Sequence, residues 1–247
     1  MTFCLGIRVR EGLLGLSDTR VTAGHEYIKA KKMSTWRLPE GEFFILTSGL
    51  RSIRDKLITY FDRFVEERDE HFNYIYEVAN HLCSIIKQIS VEDKEFLEAS
   101  GTSFNATILL GGKFRTDKTH HLFLLYSSGN WVEVGPGTPY QIIGETGYGK
   151  PILDRTLQFD DDLEFAMKVA CLAFDSTRIS AADVGLPIDV VLWRKDSEPH
   201  LVQHRFDMED FSQLSVHWQA RLRASIDSMP GEYISEMLSR FFEMPNN

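Results

Sequence analysis

Apolar and polar positions alternate from the third residue onward. Phe3, Leu5, Ile7 and Val9 fall on one face and Cys4, Gly6 and Arg8 on the other, the period-two signature of a half-buried strand. Glu11-Gly12 supplies a hairpin turn, and residues 13–16 return as a second strand that closes on Ser17-Asp18-Thr19-Arg20. A polar segment containing Gly24 leads to Lys31-Lys32-Met33, and residues 39–42 turn the chain into a buried run at 43–46 that stops at Thr47-Ser48-Gly49. The period then changes to that of a helix. Ile53, Leu57, Phe61 and Phe64 form one stripe over 51–67, and Ile75, Val78, Leu82, Ile85 and Ile89 form another over 71–90. Apolar runs at 105–110 and 121–126 predict strands joined by a basic hairpin, and 140–143 a further strand. Helices follow at 150–157 and 162–174, then strands at 188–193 and 201–204. The tail is helical over 208–228 and 231–243, broken at Pro230-Gly231.

Strands, a helix pair, strands, a second helix pair and a closing strand predict an α+β fold, with two antiparallel sheets held between helical layers. No linker, repeat or low-complexity tract interrupts the order. The division is one domain over 1–205 with a helical extension over 206–247 belonging to the same structural unit. Met229, Tyr233, Ile234, Met237, Leu238, Phe241 and Phe242 give that extension enough apolar surface either to pack between subunits or to cover its own core.

The formal charge of −9 argues against nucleic acid or an anionic membrane as the main partner. No stretch is long and apolar enough to span a membrane, and the N-terminus lacks the basic and apolar regions of a signal peptide. Three unpaired cysteines at long separations suit a reducing compartment, so a cytoplasmic location is expected. Gly147, Gly149 and Lys150 lack phosphate-loop spacing, because Pro151 follows the lysine. His120 and His121 alternate faces and cannot share one metal, so neither metal nor cofactor is expected. Asp160-Asp161-Asp162 reads as the acidic start of a helix.

The candidate chemistry is at the beginning. Once Met1 is removed, Thr2 carries an amine and a hydroxyl on adjacent carbons. An α-amine that titrates near pH ~8 can accept the hydroxyl proton, as in N-terminal nucleophile hydrolases. Met1-Thr2-Phe3-Cys4, Ser17-Asp18-Thr19-Arg20, Ala23-Gly24, Lys32-Met33 and Thr47-Ser48-Gly49 resemble proteasome-type β subunits. The block from Ile143 to Arg155, with Phe174-Asp175-Ser176-Thr177 and the run from Val184 to Asp189, narrows the resemblance to Anbu, the bacterial ancestral β-subunit group.

That resemblance implies a four-layer αββα sandwich, proteasome β-subunit-like, and a set of roles. Thr2 is the nucleophile, Lys32 the cation that tunes it, Asp18 the anchor of Lys32, and the Gly49 N–H the oxyanion donor. Asp175 is the acid near the amine, and Val21, Thr22, Thr47 and Ser48 meet substrate. Family members carry a serine in the turn at 144–147 and another three residues after the acid. Here Glu145 and Thr146 occupy the turn and Arg178 the second position, so positioning of the amine falls to Glu145, Thr146 or Ser176, with Ser180 the alternative to Ser176. The implied partners are further copies of the chain in a ring or open helical assembly, a peptide or protein substrate, and an ATP-dependent ligase pathway. Three functions remain open: a threonine peptidase or amidohydrolase, a narrower amidase reversing ligation, and a catalytically weak or inactive scaffold.

Overall fold

The computed structural model describes residues 2–23, 26–69, 71–197 and 200–242; at 21–23, 26–29, 233, 241 and 242 it describes the backbone alone. By contacts the chain divides into two compact units, residues 1–208 and 209–247.

The first unit contains two five-stranded sheets, every strand pairing of which is antiparallel. One has the order β10-β1-β2-β11-β12, built from Tyr140–Gly144, Phe3–Val9, Gly12–Asp18, Ile188–Arg194 and Leu201–Phe206. The other has the order β5-β6-β7-β8-β9, from Met33–Leu38, Gly41–Gly49, Ala106–Phe114, His121–Leu125 and Trp131–Glu133. A two-stranded ribbon, β3 (Arg20–Ala23) with β4 (Glu26–Lys29), stands apart from both.

The sheets meet through a buried cluster that includes Cys4, Leu13, Ile143, Val191 and Trp193 from one and Met33, Phe44, Leu46, Leu109, Leu122 and Leu124 from the other. Helices α1 (Arg51–Glu67) and α2 (Ile75–Ala99) cover the far face of the second sheet. Ile53, Leu57, Phe61, Leu82 and Ile86 close there on Phe43, Ile45, Ile108 and Leu110. On the other side α4 (Leu163–Ser180) packs on β1 and β2, with the rings of Phe3 and Phe174 6.0 Å apart, and α3 (Lys150–Thr156) packs on α4. The layers are therefore α, β, β, α.

The structure differs from the sequence pattern in several places, among them α4, which runs on to Ser180. Every residue of β1 and β2 is buried, so β1 is not half-buried. On its apparently polar face Cys4 and Gly6 admit the second sheet, a Cβ on Gly6 standing 3.0 Å from the Leu122 side chain, and Arg8 is buried by bonds to Glu133 at 2.6 Å and Val134 O at 3.0 Å. Strands β3, β4, β5 and β9 were not legible in the pattern. Helix α2 starts four residues later than the pattern suggests, where Glu77 accepts the Tyr74 N–H at 3.1 Å, and ends at Ala99. Its last turns bury little, but Glu92 and Asp93 hold Lys56 of α1 at 3.1 and 2.7 Å. The aspartate run does open a helix, Asp162 accepting the Phe165 N–H at 2.7 Å as the cap of α4.

His120 lies beneath Trp193 and bonds Val9 O at 2.8 Å through Nε2. Burial lowers its pKa to about 4, so it is neutral around pH 7 and donates that bond. The three cysteines are buried and unpaired. In the second unit, α5 (Met208–Asp227) and α6 (Glu232–Phe242) are linked through Met229. Met229, Ile234, Met237 and Leu238 are all exposed. No helix among the described residues is long and apolar enough to cross a membrane.

Candidate active site

The end of β2, the start of β1, the segment before β5 and the end of β6 converge on one point. Asp18 closes β2 with its side chain wholly buried, and its carboxylate accepts three hydrogen bonds: Phe3 N–H at 2.9 Å, Lys32 Nζ at 2.6 Å and Arg20 N–H at 3.2 Å. Burial pushes its pKa above the ordinary carboxylate range, while Lys32 and the two backbone donors pull it down. Lys32 is 4 % exposed and gives a second hydrogen bond to Arg20 O at 2.7 Å. An ammonium has three donors, so one N–H of Lys32 has no partner among the described residues.

β6 fixes the Lys32 backbone. Both the N–H and the hydroxyl of Thr47 donate to Lys32 O, at 2.9 and 3.2 Å. Beneath them Cys4 donates its thiol proton to Thr47 O at 3.6 Å; burial raises the pKa of that thiol, which keeps it protonated. Thr2 is held by its carbonyl, which accepts the Glu145 N–H at 2.7 Å. Gly144 allows this approach: its φ is +92°, and a Cβ there would lie 1.9 Å from Thr2 O.

Thr2, Lys32, Thr47, Ser48, Gly49, Leu50, Arg51, Arg54, Asn105 and Gly144 line a cavity of ≈ 420 Å³. Donors alternate edges along β6. Thr47 N–H points to the β5 side and Leu50 N–H bonds Asn105 O at 2.9 Å, so Gly49 N–H faces the β5 side beyond the Met33–Leu46 pairing, toward the cavity. Gly49 itself has φ +118°, and a Cβ there would come within 2.2 Å of Asn105 O.

Thr2, Asp18, Lys32, Thr47, Ser48 and Gly49 are thus brought together. Others are not. Asp175 is buried on α4 and bonded to Arg178 Nε at 2.8 Å. The Glu145 carboxylate turns back to the Gly147 N–H at 3.0 Å. Thr146 is exposed and Ser176 half-buried on α4. The side chains of Val21 and Thr22 lie outside the described residues, as does Met1. The pattern also did not single out Arg51, Arg54 and Asn105. One signal was available: two arginines open α1 where a helix favours acidic residues. No group of three or more side chains suited to a metal ion occurs among the described residues.

Two facing sheets between helix pairs, with the terminal strand opening on a lysine-aspartate pair, define a proteasome-like α+β fold. No family model and no curated protein matches the chain. Solved structures do. A Gly-1 mutant of Anbu from Hyphomicrobium sp. strain MC1 aligns at 30% identity over 92% of this chain and 98% of that one, with a TM-score of 0.84. Anbu from Yersinia bercovieri aligns at 30% identity over 93% and 98%, TM-score 0.85. A helical assembly of the Anbu complex from Pseudomonas aeruginosa aligns at 28% identity over 92% and 97%, TM-score 0.85. The chain belongs to the Anbu family, the proteasome-related ancestral β subunits.

Proposed function

We propose that the protein is a threonine amidohydrolase acting on peptide or other amide bonds in the cytoplasm, inside a self-assembled homo-oligomer. The observation that carries this reading is the buried Lys32–Asp18 pair, whose ammonium opens on the same cavity as Thr2 and Gly49.

Removal of Met1 frees the Thr2 amine. The Lys32 cation, which lines the same cavity as Thr2, disfavours protonation of that amine and keeps it basic near neutral pH. Thr2 Oγ attacks the amide carbonyl carbon and its proton passes to the amine. The carbonyl oxygen becomes an oxyanion facing the Gly49 N–H, a kind of donor typically worth ~3 kcal/mol in the barrier. The C–N bond then breaks, the leaving amine takes the proton from the terminal ammonium, and an ester remains on Thr2. Water attacks that ester with the amine again taking a proton, which releases the acid and restores Thr2. An amide made by an ATP-dependent ligase is a substrate of the same chemistry.

A second reading, an assembly with little hydrolytic activity, draws on Arg178 and Glu145. Arg178 bonds Asp175 at 2.8 Å, and the Glu145 carboxylate accepts the Gly147 N–H at 3.0 Å. Peptide coumarin-amide turnover separates the two readings. The hydrolase reading predicts turnover that falls at least ~10³-fold in Thr2→Ala with sedimentation unchanged. Equal rates for the native protein and Thr2→Ala would leave the scaffold.

A further inference from the structure

Among the described residues, the charged ones that line the cavity, Lys32, Arg51 and Arg54, are all cations. Lys32 is neutralised by Asp18, but the arginines are not fully matched. Asp55 stands outside the lining and faces both, so among the described residues two guanidinium charges meet one carboxylate. Asp55 also sets their posture. It accepts Arg54 Nε and a terminal nitrogen at 2.9 and 2.6 Å, while the other terminal nitrogen of Arg54 donates to Lys31 O at 2.8 Å. Arg51 is tethered through Nε alone, at 3.3 Å, and its two terminal nitrogens have no partner among the described residues.

The position of these cations is electrostatically adverse. Arg51 is the first residue of α1 and Arg54 the fourth, where the helix already presents partial positive charge. The first turn holds no acidic residue, and the Leu50 cap makes no side-chain hydrogen bond. Asp55 offsets part of the repulsion between these positive features, and a further anion in the cavity would offset the rest.

We propose that Arg51 and Arg54 make this cavity a subsite for acyl groups that carry a carboxylate, for which a glutamyl residue is the probe. The inference rests on the reading of Thr2 as nucleophile, which places the acyl group in this cavity. The guanidinium fork of Arg51 matches a carboxylate in a bidentate pair, and Arg54, fixed by Lys31 O and Asp55, is the stationary wall beside it. A glutamyl unit presents its free carboxylate four bonds from the scissile carbonyl carbon whichever of its two carboxyls forms the amide. α-linked and γ-linked glutamyl amides therefore share the recognised chemistry.

The test uses the assembled Thr2→Ala protein and four capped peptides: α-linked glutamyl amide, γ-linked glutamyl amide, the glutaminyl isostere and a leucyl peptide. At least one glutamyl peptide is expected to bind about tenfold or more tighter than the glutaminyl one. Arg51→Gln should cut that advantage to about twofold or less, and Arg63→Gln, farther along the same helix, should leave it intact. Which glutamyl peptide binds better assigns the linkage. Equal binding of glutamyl and glutaminyl peptides, or a preference that survives Arg51→Gln, overturns the proposal. Turnover of the matching coumarin amides by the native protein keeps the two readings apart. Glutamyl-selective binding without turnover removes the hydrolase and leaves the subsite; turnover without glutamyl preference does the reverse.

Discussion

Lys32→Met is expected to cost about 3–5 kcal/mol of folding stability at neutral pH and to abolish the reactivity of Thr2. The Asp18 carboxylate has no exposed surface, and Lys32 is its only cationic partner within salt-bridge range among the described residues. Without Lys32 it keeps two backbone N–H donors but no opposing charge. Burial already raises the Asp18 pKa, and the two contributions of Lys32 that lower it are lost in the variant. A carboxyl with a folded pKa above its unfolded value favours folding most when it is protonated, and that contribution is lost as pH rises through the folded pKa. The deficit of Lys32→Met should therefore be largest at neutral and alkaline pH and shrink as pH falls, which urea melts at several pH values will read. Adding Asp18→Asn keeps an oxygen for the Phe3 N–H and removes the buried charge. That double variant should recover much of the stability and none of the reactivity, which separates a folding role for the pair from its role at Thr2.

Phe44→Ala is expected to cost about 3–5 kcal/mol, the upper range for a truncated aromatic. Phe44 bridges the two sheets over Gly15 and Gly111. A Cβ at those positions would come within 2.7 and 2.4 Å of its ring. Glycines have no side chain that can lean into the space left by the ring, and both backbones are fixed in ladders, so the cavity stays open. For a unit of this size the loss corresponds to a fall in Tm of roughly 10 °C. Gly111→Ala should destabilise the parent protein by overpacking yet recover part of the stability of Phe44→Ala, a coupling that a double-mutant cycle in thermal melts will measure.

Elements that bury a whole stripe or a continuous apolar run were legible in the sequence. The stripe of α1, the run of β6 and the hairpin of β1 and β2 all show in the spacing of their residues. β5 was not legible, because Met33–Leu38 is an edge strand whose Ser34, Thr35 and Arg37 sit among its apolar positions. The end of α2 was missed because it is tied down by ion pairs to Lys56 rather than by an apolar face. Fourteen residues of separation do not reveal that Asp18 and Lys32 meet; the resemblance to proteasome subunits supplied that pair, and the structure brings it together at 2.6 Å. The neighbourhood of the amine was harder to read, since the directions of the Glu145 and Asp175 side chains depend on the Gly147 N–H and on Arg178, partners that spacing does not reveal. Arg51 and Arg54 pass for solvated basic residues until the cavity that they line is seen.

The central claim is that Thr2, freed of Met1 and beside the Lys32 cation, is a nucleophile. Intact-mass spectrometry of the purified protein, before and after treatment with a β-lactone, tests it most directly. The account predicts a chain lacking the initiator methionine that gains one adduct, mapped to Thr2 and absent in Thr2→Ala and Lys32→Met. A retained methionine, or a processed chain that gains no adduct at Thr2, would contradict it.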